Sequence, residues 1–201
     1  MDKDKPQLDQ LVAFHGHLCP GLAIGCRAAQ AGLGKLGVAR ARDEELVAIV
    51  ENDSCSVDAV QFLAGATFGK GNLFFRDFGK QVFYFARRGK AAAVRVALRA
   101  NAMSRPPEQS LIANRIASGE ATESDHRSAA EWRRQKVEYL LSAPQEELFD
   151  VREVEIELPP PARIFRSVTC DRCGEPVMET RTIWQGEEII CLECDSAQEN
   201  A

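Results

Sequence analysis

The sequence predicts an α+β fold, a mainly antiparallel sheet packed with helices, followed by a small cysteine-rich domain. Three observations point there. Short apolar segments separated by turn residues follow one another between residues 72 and 98, as in hairpins. Segments of helical period lie before and after this run rather than alternating strictly with single strands. Four of the seven cysteines fall within positions 170–194, beyond the stiff run "PPPA".

The elements follow in order. Residues 6–14 read as a short helix with Leu8, Leu11 and Val12 on one face. Pro20 fits the first turn of a second helix over 20–36, whose glycines and alanines permit close packing. "ELVAIVE" (45–51) reads as a buried strand and "SVDAVQFLAGA" (56–66) as a helix. "NLFF" (72–75) leads to a turn at "RDFGK". "QVFYFAR" (81–87) and "AAVRVAL" (92–98) flank "RGKA", where Gly89 suits a hairpin turn. Residues 123–143 form an amphipathic helix, and 148–158 supply a last alternating strand. The predicted boundaries are a core domain over 1–158, a linker over 159–162 and a cysteine domain over 163–201.

The net charge of −5 and pI of about 5.4 speak against nucleic acid or an acidic membrane as the main partner. The first ten residues, "MDKDKPQLDQ", carry no apolar signal core, and no apolar run approaches the ~20 residues a membrane span needs. The expectation is a cytoplasmic protein with no membrane partner. In that compartment, cysteines point to metal or redox chemistry rather than structural disulfides.

"CDRCG" and "CLEC" place Cys170, Cys173, Cys191 and Cys194 as two C-x2-C pairs with 17 residues between them. Each pair can aim two sulfurs at one ion, and four thiolates complete the tetrahedral shell of zinc. The expectation is a structural zinc ion in a ribbon or treble-clef domain, with an iron site as the alternative. "MET" and "WQGEEII" between the pairs read as a short hairpin. Residues 163–201 carry eight acidic and four basic side chains, so this module repels phosphate and fits a protein partner. Residues 78–107 carry seven basic side chains and no acidic one. They form a solvated face or a surface that receives the acidic module.

"FHGHLCPG" sets His15, His17 and Cys19 just ahead of the helix that Pro20 starts. A sulfur at a helix N-terminus beside imidazoles has the surroundings of a reactive or metal-binding thiolate. In "VENDSCSVDAVQ", Cys55 stands near the next helix start, with Asp53 and Ser54 as capping types and Asp58 one turn inside. Two such helix starts facing one cleft would gather His17, Cys19 and Cys55 as a ligand set with an open position. His15 joins them, and Asp58 orients an imidazole from behind. The alternative is that these residues are structural, as Cys26 is expected to be and as surface His126 is. "GATFGKGN" is no phosphate loop: position 64 is alanine and position 71 glycine. It reads instead as a helix exit bringing Lys70 and Asn72 toward the cleft, with Lys70 offering charge to an anionic substrate.

"FHGHLCPGLAIGCRAA", "ENDSCSVDAVQFLAGATFGKGNL" and "DFGK" together resemble the FmdE family, proteins similar to the FmdE component of formylmethanofuran dehydrogenase. The resemblance implies an α+β core with a zinc domain, often as a homodimer. It also implies a cleft at His15, His17, Cys19, Cys55, Asp58, Lys70 and Asn72. Family members occur in operons for a molybdenum or tungsten enzyme, so a larger oxidoreductase complex is the implied partner. "CDRCGEPVMETR" followed by "CLEC" resembles the DksA/TraR finger, without that family's long coiled-coil arm.

Two functions are consistent with these residues. One is a metal- or thiol-dependent enzyme or accessory redox protein, with Cys19, Cys55, Asp58 and Lys70 in catalytic roles. Its second metal ion, read as zinc, is held by His15, His17, Cys19 and Cys55. The other is a non-catalytic zinc-finger protein that docks on a larger complex.

Overall fold

The structure, a computed structural model, describes residues 5–199. The chain forms two compact units, Met1–Pro161 and Ala162–Ala201.

The first unit opens with helices α1 (Lys5–His15) and α2 (Pro20–Leu36), strand β1 (Leu46–Val50), helix α3 (Ser56–Ala64) and strand β2 (Leu73–Phe75). Strands β3 (Val82–Arg87) and β4 (Ala92–Leu98) follow as a hairpin. Helices α4 (Pro107–Ser118), α5 (Glu123–Ser142) and the short α6 (Gln145–Leu148) then lead to β5 (Phe149–Glu155). The sheet order is β2-β1-β3-β4-β5.

All ladders of this sheet are antiparallel except β1–β2, where Ala48 pairs with Leu73 in parallel register. The turn at "RDFGK" therefore does not close a hairpin between neighbours. Helix α3 carries the chain across from β1 to β2, and β3 then pairs on the far side of β1. A parallel pair requires such a crossover, and α3 supplies it.

Alternation along the strands sends Leu46, Ala48, Val50, Phe83, Phe85, Val94 and Val96 into one buried cluster with α2 and α3. Burying each of the large side chains contributes about 1.5–3 kcal/mol. Helix α2 approaches without side chains at two points. A Cβ on Gly32 would lie 2.1 Å from the Phe85 ring, and one on Gly25 would lie 2.1 Å from the Ser56 carbonyl oxygen. This seats the start of α3 directly on α2.

Helix α4 has no counterpart in the sequence reading. Its apolar stripe is short, with Ile112 buried and Ala113 and Ile116 half-buried beside it, and Pro107 starts the helix and Gly119 (φ 76°) ends it. Helix α5 begins at the Thr122 capping box completed by Asp125. Strand β5 stops at Glu155, three residues before the expected end, just ahead of the prolines.

The second unit pairs β6 (Ser167–Thr169) with β7 (Pro176–Met178) and β8 (Thr182–Gln185) with β9 (Glu188–Cys191), then ends in α7 (Leu192–Glu199). Knuckle, hairpin and helix in this order make a treble clef. The structure corrects the expected pairing of "MET" with "WQGEEII". Met178 closes β7, Glu179–Arg181 form a 3-10 turn, and the hairpin turns at Gly186 (φ 64°). Among the described residues, no helix is long and apolar enough to cross a membrane.

Candidate functional site

Helix α1 ends at His15 because Gly16 takes φ +99°, a conformation that favours glycine, with its N–H still bonded to the Val12 carbonyl at 2.7 Å. The chain then folds back through His17 to Cys19, the N-cap of α2. The Leu22 N–H donates to Cys19 Sγ at 3.4 Å, so the sulfur occupies the capping position where the helix end favours negative charge.

His15 Nε2 lies 3.9 Å from Cys19 Sγ, and the His15 and His17 ring centroids are 4.7 Å apart. One donor atom from each of His15, His17 and Cys19 lies within 4.8 Å of the others. Asp58, in the first turn of α3, places Oδ2 2.7 Å from His15 Nδ1. Its other oxygen accepts from Gln61 Nε2 at 3.3 Å. A carboxylate at Nδ1 holds the proton there and leaves the Nε2 lone pair facing the sulfur.

Cys55 stands beside this group and outside its 4.8 Å cluster. Its Cβ packs 3.0 Å from where a Cβ on Gly21 would sit, so the glycine in the first turn of α2 lets the two helix starts meet closely. Burial pushes the Cys55 thiol up from its ordinary pKa, and contact with Cys19 and the charge of Asp58 add to this. Cys55 is in helical conformation and makes no side-chain cap bond. Asp53 and Ser54 do not cap α3 by the expected route. Instead Asn52 Oδ1 accepts from the Ser54 N–H (3.2 Å), Ser54 Oγ (2.8 Å) and Ser56 Oγ (3.0 Å). Gln81 reaches in from the loop before β3 to bond Ser54 and Ser56. Sequence reasoning misses Asn52 and Gln81 as supports of the Cys55 turn, although an asparagine two residues ahead of a serine is a recognisable turn signal.

Lys70 and Asn72 have other partners than a cleft. Lys70 Nζ donates to the Gly65 carbonyl and to the Asp43 carbonyl at 3.1 Å. Asn72 is fully buried, donating to the Leu46 carbonyl (2.8 Å) and accepting from the Thr67 N–H (2.9 Å). Both brace the exit from α3. The glycines around Lys70 serve this turn. Cys26 is buried and His126 exposed, both as expected.

A groove of about 550 Å³ opens beside His17 and Cys19, walled by Leu18 and by Arg133, Val137 and Leu141 of α5. A second hollow of about 290 Å³ lies on the Asp58 side, bordered by Asn52, Val57 and the exposed rings of Phe68 and Phe75.

In the second unit the four cysteine sulfurs lie within 4.8 Å of one another. Cys170 and Cys173 lie in the turn between β6 and β7, Cys191 ends β9 and Cys194 sits in the first turn of α7. Gly174 (φ 74°) closes the knuckle. Backbone N–H groups of Cys173 and Cys191 bring the Cys170 thiol down to about 6. Cys194 is pushed up to about 12, first by its contact with Cys191 and then by burial. Four sulfurs this close cannot all ionise without a cation among them, and this donor set fits zinc.

A family model described as "FmdE, Molybdenum formylmethanofuran dehydrogenase operon" matches residues 14–150. The chain belongs to the FmdE family. A model of the prokaryotic dksA/traR C4-type zinc finger matches residues 163–200, over the four cysteines. This is a zinc-binding FmdE-like protein. A "Probable S-adenosyl-L-methionine-binding protein" of Archaeoglobus fulgidus is 34% identical over 188 residues, which is 90% of this chain and 50% of that one. The chain thus spans about half the length of that relative. The crystal structure of a tungsten formylmethanofuran dehydrogenase FmdE-like protein from Syntrophus aciditrophicus shares the fold. Its TM-score is 0.64 at 23% identity, covering 96% of this chain and 92% of that one.

Proposed function

We propose that this FmdE-family chain is a metal-dependent accessory protein of a larger oxidoreductase system, with its reactive centre at His15, His17 and Cys19. The observation that carries this is the line Asp58 Oδ2–His15 Nδ1 at 2.7 Å and His15 Nε2–Cys19 Sγ at 3.9 Å. Two ligands of one tetrahedral zinc, an imidazole nitrogen and a thiolate sulfur, stand about 3.6 Å apart. The observed spacing is close to that, and His17 supplies a third donor that a bare thiol–imidazole pair does not use. Asp58 fixes the tautomer that leaves Nε2 free to ligate. A divalent ion bound there supplies Lewis acidity. Cys55 adds a second sulfur next to Cys19, and the groove admits a small molecule to the exposed side of His17.

The link to formylmethanofuran dehydrogenase rests on the family description and on the name of the Syntrophus protein. The name of the Archaeoglobus relative makes S-adenosyl-L-methionine a ligand to try with this chain. The acidic finger supports a protein partner over nucleic acid.

Metal content separates this reading from a purely docking protein. Native mass spectrometry should show two zinc ions per chain, one lost in Cys19→Ser and the other in Cys173→Ser. Cobalt loaded at the first site should give a thiolate-to-metal band that disappears in Cys19→Ser. A single zinc unaffected by Cys19→Ser and by His17→Ala would overturn the proposal.

A further inference from the structure

We propose that the groove between the Cys19 turn and α5 takes a small organic acid, its carboxylate on Arg133 and its apolar body along Leu18, Val137 and Leu141. This deepens the proposed function, since it places the far end of such a ligand beside His17 and Cys19.

Four observations carry it. The groove of about 550 Å³ has the size of a small-molecule site and runs from His17 and Cys19 to the face of α5 that carries Arg133, Val137 and Leu141. These side chains recur at helical spacing on one face, so the wall is built on a rigid element. Of the charges at the groove, Arg134 is neutralised by Glu131 at 2.7 Å and by Glu138 at 3.1 Å. Arg133 has no ion-pair, hydrogen-bond or ring partner among the described residues, and it borders the groove with its charge uncompensated.

The surroundings of Arg133 reinforce this. Arg133 and Pro20 also line a neighbouring hollow of about 280 Å³, together with Arg105 and Trp132. Arg105 lies over the Trp132 ring, 4.9 Å from its centroid. That hollow, beside the groove, thus holds a second cation whose partner is a neutral ring. The Arg133 guanidinium at one end and an apolar wall along the middle suit an anion with a hydrocarbon body. The planar fork of Arg133 matches a carboxylate through two parallel hydrogen bonds.

The test is a titration of the full, zinc-loaded chain with hexanoate, followed by backbone amide spectra. Hexan-1-ol and hexylammonium at equal concentration serve as controls. Hexanoate should shift the amides of Leu18, Cys19 and residues 130–141 with millimolar affinity, and both controls should bind at least about tenfold more weakly. Arg133→Gln should weaken hexanoate about tenfold and leave hexanol unchanged, Arg133→Lys should recover part of the loss, and Arg134→Gln should change little. The overlay of free spectra checks that each variant is folded.

Equal hexanoate binding by Arg133→Gln and the parent would overturn the proposal, as would equal binding of acid, alcohol and ammonium by the parent. Repeating the titration on Cys19→Ser separates the two readings. Arg133-dependent binding that survives there supports the acid site whatever the cobalt spectrum says of the metal. Binding that needs the metal and ignores Arg133 shows the acid to be a metal ligand and sinks the assignment to Arg133.

Discussion

Asp58 Oδ2 and His15 Nδ1 lie 2.7 Å apart and join the first turn of α3 to the last turn of α1. This contact links the two segments that carry the candidate ligands, and it sets which imidazole nitrogen faces Cys19. Asp58→Asn keeps the shape but presents an amide in place of the charge. Zinc affinity at the first site should fall about 10–100-fold, as for other carboxylates behind metal-bound histidines. Competition with a chromophoric chelator measures this. An affinity equal to the parent's would mean that His15 is not a ligand.

The finger should be acid-sensitive in a defined order. Cys170 sits near 6 without metal and Cys194 near 12. At pH 7 Cys170 is therefore already largely thiolate, while Cys194 must lose its proton when zinc arrives. Calorimetry in buffers of different ionisation enthalpy should register proton release on zinc binding at pH 7. Because the folded pKa of Cys170 is lowered, its contribution to the metal-free fold is present above the ordinary thiol range and lost as pH falls through about 6. Zinc binding without proton release at pH 7 would contradict this ordering.

Much of this site is legible in the sequence because its signals are local. A glycine after His15, a proline after Cys19 and the C-x2-C spacings each act within a few residues, and the helix starts fall where those residues put them. What is not legible depends on distant partners. The parallel placement of β2 depends on β1 offering β2 the edge opposite β3, and three residues of strand do not encode it. The Asp43 carbonyl that Lys70 binds lies 27 residues earlier in the chain, a partner no local pattern encodes. Helix α4 gives only a short apolar period, Ile112, Ala113 and Ile116, and part of its tether is polar: Arg115 binds Asp125 of α5 through two nitrogens of its guanidinium. The groove joins the Cys19 turn to residues more than 100 positions away.

That tether should show in acid titration. Arg115 holds the Asp125 carboxyl well below the usual carboxylate range, and the Thr122 N–H and hydroxyl add to it. A depressed folded pKa stabilises the fold at pH values above the unfolded value, about 3.9. The contribution is lost as pH falls through the folded pKa. Asp125→Asn should therefore melt below the parent at pH 5–7, with the gap narrowing steadily under about pH 4. A gap independent of pH would show that the carboxylate's charge plays no part in holding α4 to α5.

The close seat of α3 on α2 gives a sharper test, because two glycines of one helix should respond with opposite signs. A methyl on Gly25 meets the Ser56 carbonyl oxygen at 2.1 Å and its Cα at 2.6 Å, all backbone that cannot swing aside. A methyl on Gly34 meets nothing within 4 Å. Gly25→Ala must push the start of α3 outward, at a cost of about 1–3 kcal/mol or more. In a unit of this size each kcal/mol lowers the melting temperature by about 2–4 °C. Gly34→Ala only gains helix propensity, up to about 1 kcal/mol, and should raise it. The displacement in Gly25→Ala also carries Cys55 and Asp58 away from Cys19 and His15. Zinc at the first site should weaken in that variant even at temperatures where the fold is intact, while zinc in the finger stays. If Gly25→Ala and Gly34→Ala shift the melting temperature in the same direction and by similar amounts, the two helices do not meet as closely as 2.1 Å implies.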